Sequence, residues 1–277
     1  MKKSILLVLA LSAATSSVFA HSHKLVKQWE TDPVFKTPES VLLDRANHIL
    51  YVSNIDGKEP WTADNAGSIG KLGLDGKVIA VEWVKGLQAP KGLGIYQGKL
   101  YAADLTEVVV IDIAKGTIVE KIPVAGSKQL NDITIDAHGI VYVSDSGANR
   151  VYRIEGSKAS LFLENLKGPN GLLAHDGELY VLDNGGLYQV QKDKSLKLLC
   201  DGMEGYTDGV EPVKGGGFIV TGWLGVVYFV GADGQKQLLL DTRAEKSNTA
   251  DLGYDPETRI AYIPTFFKNT VAAYELK

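Results

Sequence analysis

From residue 24 onward the chain is written in short apolar segments separated by turns rich in Gly, Asp and Asn. Segments such as Val151-Tyr152-Arg153-Ile154 and Ser160-Leu161-Phe162-Leu163 combine β-branched and aromatic side chains with polar alternation. That is the pattern of half-buried strands. No amphipathic helix of useful length follows residue 30. The pattern also recurs. Leu50-Tyr51-Val52, Leu100-Tyr101-Ala102, Val141-Tyr142-Val143, Leu179-Tyr180-Val181, Phe218-Ile219-Val220 and Ala261-Tyr262-Ile263 align at positions 51, 101, 142, 180, 219 and 262. Their intervals are 50, 41, 38, 39 and 43 residues, which makes six copies with one insertion in the first.

Each copy reads as four strands joined by tight turns, with Asp75-Gly76, Lys115-Gly116 and Asp233-Gly234 as hairpin signals. Four strands at a period of about 40 residues is the signature of a propeller blade. The sequence therefore predicts an all-β, six-bladed β-propeller. The last copy stops after its third strand, Thr270 to Leu276. The segment Lys24-Leu25-Val26-Lys27-Gln28-Trp29-Glu30 resembles the fourth strands around Trp83 and Val119. It is expected to complete the last blade and close the ring, which leaves no open edge there.

Residues 1–20 read differently. Lys2 and Lys3 precede an apolar run from Ser4 to Ala14, and Val18-Phe19-Ala20 ends in a small residue. This is the layout of a secretory signal peptide. The mature domain is expected to span residues 21–277 and to be exported, to the periplasm or beyond. Loss of the two lysines deepens the formal charge from −4 to −6. A modest acidic balance argues against nucleic acid or an anionic membrane as partner. Cys200 is the only cysteine, so no intramolecular disulfide can form, and it reads as a small core residue.

The first strand of each blade lines a central channel. Its starting positions in the six copies are Glu39, Lys91, Asn131, Asn170, Asp208 and Ala250, each followed by a small or acidic residue: Ser40, Gly92, Asp132, Gly171, Gly209 and Asp251. Glu39, Asn131, Asn170 and Asp208 can bring oxygen donors to one axis, which suits a hard cation such as calcium. Zinc prefers His or Cys, and His48, His138 and His175 fall in turns at the opposite face. Asn, Asp and Glu also begin strands simply as turn residues. Any one of the four reads that way alone; four at one phase of a repeat keep both readings open.

Thr37-Pro38-Glu39-Ser40-Val41-Leu42-Leu43-Asp44 with Ile49 to Ser53, then Leu130-Asn131-Asp132, Pro169-Asn170-Gly171-Leu172 and Thr207-Asp208-Gly209-Val210, resemble the SMP-30/gluconolactonase family in order and spacing. Paraoxonases and diisopropylfluorophosphatase share the layout. The resemblance implies a catalytic Ca2+, or another divalent cation, held by Glu39, Asn170 and Asp208. Asn131 would be a ligand or a substrate contact, and Asp132 would stand behind them. It also implies a small-molecule lactone or ester as substrate, with the cation polarising the scissile carbonyl. Two departures stand out: Gln129 replaces a frequent Arg, and Lys91 stands where paraoxonases carry His.

Lys91 has three readings: a substrate contact or base, an ion-pair partner of Glu39 or Asp208, or an ammonium that replaces the metal. The ion pair is the expectation. Asp208 and Lys91 are the candidate catalytic residues. The mouth walls are expected from the loops after the second strands, the longest from Asn54 to Ser68 with Trp61. Others carry Asp145 and Asn149, Asp183 and Asn184, Trp223, and Phe266-Phe267. Trp61, Trp223 and Phe266 would give an apolar substrate surface. Two functions compete: a calcium-dependent hydrolase of lactones or related esters, and a non-catalytic periplasmic propeller that binds a ligand or protein.

Overall fold

The computed structural model describes residues 22–277, residue 58 excepted. The expected leader, residues 1–20, lies outside the described residues. The chain begins with β1 (Leu25–Glu30). Blade one follows with β2 (Pro38–Asp44), β3 (Ile49–Asn54), β4 (Gly67–Gly73) and β5 (Val78–Leu87). Blade two holds β6 (Pro90–Tyr96), β7 (Lys99–Asp104), β8 (Glu107–Asp112) and β9 (Thr117–Pro123). Blade three holds β10 (Leu130–Ile135), β11 (Val141–Asp145), β12 (Arg150–Glu155) and β13 (Lys158–Leu163). Blade four holds β14 (Pro169–His175), β15 (Glu178–Asp183), β16 (Gly186–Val190) and β17 (Leu196–Cys200). Blade five holds β18 (Thr207–Pro212), β19 (Phe218–Gly222), β20 (Val226–Val230) and β21 (Lys236–Asp241). Blade six holds β22 (Gly253–Asp255), β23 (Ile260–Pro264) and β24 (Val271–Leu276). Its fourth strand is β1: the sheet order is β1-β24-β23-β22.

The six four-stranded sheets make the β-propeller that the repeat predicts. Closure is made at both radii of the ring. Outside, β1 runs antiparallel to β24 with Leu25 opposite Leu276 and Glu30 opposite Ala272. Inside, Ser40 bridges Asp251 in parallel, and the Asp251 N–H donates to the Glu39 carbonyl at 2.9 Å. The kinship of β1 with a fourth strand extends to side chains. Trp29 on β1 covers Gly76 in the next blade's outer hairpin, as Trp83 on β5 covers Gly116. Both glycines have positive φ (81° and 64°) and leave no room for a Cβ under the indole.

The core lies between blades. Tyr51, Ile69 and Leu87 of blade one meet Leu93, Leu100 and Val109 of blade two. Phe35, Val41 and Leu50 meet Tyr262 and Val271 across the closure. Each fully buried aliphatic side chain contributes about 1.5–3 kcal/mol. These clusters hold the ring without covalent links. Cys200 is buried in the cluster between blades four and five, as expected. Burial pushes its thiol pKa up, which suits an inert core residue. Among the described residues no helix is long and apolar enough to cross a membrane.

Candidate functional site

In five blades the innermost strand carries a register irregularity across the residues that begin it. These lie between Pro38 and Val41, Pro90 and Leu93, Leu130 and Ile133, Pro169 and Leu172, and Thr207 and Val210. Such a bulge bends the strand and re-aims side chains. Here it directs Glu39, Lys91, Asn131, Asn170 and Asp208 into one cavity of 690 Å³ at the mouth of the channel. In alternate blades a hydroxyl takes the N–H that the bulge frees. Ser53, Ser144 and Thr221 accept from Ser40, Asp132 and Gly209, each at 2.9 Å. The sixth starting position, Ala250, is buried and apolar.

A second device holds four of the five bulges in place. The strand beside it ends in Asn54, Asp104, Asp145 or Asp183, all buried. Their oxygens accept N–H groups of the segment that leads into the mouth residue. Asn54 takes Lys36, Asp104 takes Gln88 and Ala89, Asp145 takes Lys128 and Gln129, and Asp183 takes Lys167, at 2.7–3.2 Å. This corrects one expectation. Asp145 and Asp183 do not form mouth walls; their carboxylates face inward to cap the loops. Asn184 does line the cavity, together with Ser146. The Asn149 carbonyl instead accepts the Leu166 N–H, away from it.

The mouth residues leave oxygens without partners. Asn170 donates its amide to Asp208 Oδ1 at 2.8 Å, and Asn131 donates to Ser146 Oγ at 3.1 Å. Both amides thereby spend nitrogen sideways. Their Oδ1 atoms, and Glu39 Oε2, are buried with no hydrogen-bond partner among the described residues. An unsatisfied buried acceptor costs about 1–3 kcal/mol, so three at one site call for a ligand. Two carboxylates and two amide carbonyls form an all-oxygen set, which suits calcium, whereas zinc prefers His or Cys. No group of three His, Cys, Asp or Glu side chains with metal-binding arrangement occurs among the described residues. Any cation here therefore relies on the two asparagines. Without a cation, burial drives the Glu39 and Asp208 carboxyls well above the usual range, and Asp208 raises Glu39 further.

Lys91 is a correction. It makes no ion pair with Glu39 or Asp208. Its ammonium donates to the Pro60 carbonyl at 2.7 Å and lies 4.0 Å from the Trp61 ring centre. Nor does its ammonium hydrogen-bond the unpartnered oxygens of Glu39, Asn131 and Asn170. Burial lowers its pKa to about 8, against the opposing pull of Glu39. Lys91 thus ties the long β3–β4 loop to the cavity.

Below the mouth, the channel has an acidic layer. Asp132 accepts N–H groups from Ile133 and from Leu172 of the next blade, at 2.7 and 2.6 Å. Asp251 accepts from Ser40 Oγ across the closure at 2.5 Å. Gly92 and Gly209 make these approaches possible, because a Cβ at either would collide with the Asp132 or Asp251 carboxylate. Burial raises the Asp251 pKa to about 7. Glu211 shares this part of the channel and rises to about 8 through desolvation and the Asp251 charge. Asp132, next in the chain to the mouth residue Asn131, lines this part of the channel with Asp251 and Glu211. Sequence reasoning passed over the buried carboxyls of Asp251 and Glu211. The signal for Glu211 was a lone carboxylate where Leu42, Thr134 and Leu173 stand at the same phase.

The cavity walls include Trp61, Trp223 and Phe266, as expected, and also Met203, Tyr206 and Lys167. No known family profile matches the sequence, and no curated protein matches it. Solved structures do resemble it in fold. A gluconolactonase from Xanthomonas campestris superposes with a TM-score of 0.70 at 17% identity, covering 88% of this chain and 87% of that one. A putative gluconolactonase gives 0.64 at 17% identity over 94% of each chain. A chain of a nidogen–laminin complex gives 0.66 at 17% identity, covering 79% of this chain and 84% of that one.

Proposed function

We propose that the protein is a divalent-cation-dependent hydrolase of lactones or related esters, with calcium as the cation. The observation that carries this reading is the set of unpartnered, buried oxygens of Glu39, Asn131 and Asn170 beside Asp208 at the channel mouth. The likeness to two gluconolactonase structures supports the reaction class. Glu39, Asn131, Asn170 and Asp208 would hold the cation, which when bound polarises a carbonyl oxygen and stabilises the charge that develops on it. The Asn170 amide fixes one Asp208 oxygen, so the other is free to take a proton from an attacking water. The apolar wall sheds water from the bound substrate. The leader over residues 1–20 would place this activity outside the cytoplasm, and the intact mass of exported protein tests its removal.

The test of the activity is turnover of a panel of lactones and aryl esters by purified protein with and without chelator. Turnover should vanish with chelator and return with calcium. Asp208→Asn should lower kcat/KM by about 100-fold or more at saturating calcium. Unchanged turnover in chelator would refute the reading. Bound calcium with no turnover on any member of the panel would favour a ligand-binding propeller.

A further inference from the structure

The walls of the mouth cavity are unlike each other. Ser146, Lys167 and Asn184 give a polar side. Against it stands an aromatic wall that continues out to the surface. Trp223 meets Phe266 edge-on with ring centres 5.4 Å apart, and Phe266 meets Phe267 at 4.7 Å. Phe267 is 62% exposed, and Tyr206, which lines the cavity, is 74% exposed. Large rings turned to water beside a polar site mark a binding surface.

The backbone carries an independent sign. Tyr206 and Phe266 both hold left-handed conformations, with φ of 58° and 50°. Bulky residues rarely adopt them, and where they do, the surrounding structure must enforce the strain. It does so here. The Trp223 N–H donates to the Tyr206 carbonyl at 2.8 Å. The turn that bears Phe266 is closed by the Thr265–Thr270 hydroxyl pair at 2.8 Å and by the Thr270 N–H on Thr265 Oγ1. Across the mouth, the Lys91 ammonium sits over Trp61 and pins its loop through Pro60. The wall is thus fixed before any ligand arrives.

We infer that this wall is a subsite for an apolar, aryl-bearing arm of the substrate, so that the protein prefers aryl-substituted lactones or esters to polyhydroxylated sugar lactones. The inference rests on the hydrolase reading for the reaction, though not for the binding. An aryl group meets these rings in offset or edge geometry. A sugar lactone pressed on the same wall would lose water from its hydroxyls and gain no partner. The cavity volume of 690 Å³ also exceeds what a bare lactone ring fills.

The test compares kcat/KM for an unsubstituted γ-lactone, its phenyl-substituted counterpart and glucono-lactone. Alongside, quenching of Trp61 and Trp223 fluorescence follows binding of a phenyl-substituted cyclic ether, which cannot be hydrolysed. Wild type should favour the phenyl lactone over the sugar lactone by about 100-fold. Trp223→Ala should cut the phenyl-to-unsubstituted ratio by about 10-fold and weaken the ether to a similar degree. Tyr206→Asn, which keeps a left-handed backbone and removes an exposed ring, guards against loss of folding and should move the ratio the same way. Equal or better turnover of the sugar lactone, or ratios that neither variant moves, would overturn the subsite and leave the hydrolase reading intact. Ether binding that both variants weaken, with no lactone hydrolysed, would uphold the subsite and remove the hydrolase. No ether binding to wild type would overturn the subsite.

Discussion

The channel holds two layers of acidic and amide side chains, one residue apart in sequence and opposite in their bonding. Asn131 at the mouth keeps a buried carbonyl oxygen without a partner; Asp132, next in the chain, has both oxygens filled by N–H groups of two blades. Glu39 has a free oxygen, while its neighbour Ser40 is spent on Asp251 across the closure. The bulge explains the alternation, since it aims one residue at the mouth and the next into the wall between blades. Similar polar groups thus become a prospective ligand set in one layer and structural staples in the other.

Both layers need a closed ring, so the largest effect should come from removing the strand that closes it. Deletion of residues 24–30 strips β24 of its neighbour and should lower the melting temperature by more than about 10 °C or abolish cooperative unfolding. An unchanged melting curve would mean that the inner Ser40–Asp251 bridge closes the ring unaided.

A smaller effect separates the layers. Asp132→Ala leaves the Ile133 and Leu172 N–H groups buried and unpaired, at a cost of about 3 kcal/mol, or about 6–12 °C for a domain of this size. Added calcium should not restore it. Glu39→Gln should hardly change the chelated protein, because the carboxylate makes no hydrogen bond there and its ionised form is disfavoured by burial. Thermal melts with and without calcium decide this; equal losses for the two variants would erase the distinction.

The smallest effect is a pH slope from the inner layer. Glu211 titrates at about 8 in the fold, against an ordinary value of 4.5. The fold favours its protonated form, so its contribution is full below about 4.5 and is lost as pH rises through about 8. Chelated protein should lose up to about 2.7 kcal/mol, or up to about 5–11 °C, between about pH 6 and about pH 9. Glu211→Gln should reduce that slope and leave the part below about pH 7 that Asp251 supplies; a slope unchanged in the variant would assign it to other groups.

The blade repeat, the closure by residues 24–30 and the five polar mouth positions were legible in the sequence, because strand period and repeat phase fix where a side chain points. What one blade does to another was not. Asp145 and Asp183 look like loop residues in a linear reading, yet hydrogen bonds to the preceding segment turn them inward. The Lys91 ion pair was expected from charge alone, and a backbone carbonyl from the 54–68 insertion took the ammonium instead. The pairing of Asp132 with blade four and of Asp251 with blade one depends on contacts between repeats, which the pattern within a repeat does not encode.

The mouth layer should hold a cation and the inner layer should not. Elemental analysis with calorimetric calcium titration of the mature protein, of Glu39→Gln and of Asp132→Asn tests it most directly. Wild type should bind one calcium strongly, with about 2.7 kcal/mol of added stability when calcium is about one hundred times Kd. Glu39→Gln should lose that binding, and Asp132→Asn should melt at a lower temperature with stoichiometric binding kept. A wild type that carries no metal, binds no calcium and melts alike with and without chelator would contradict it.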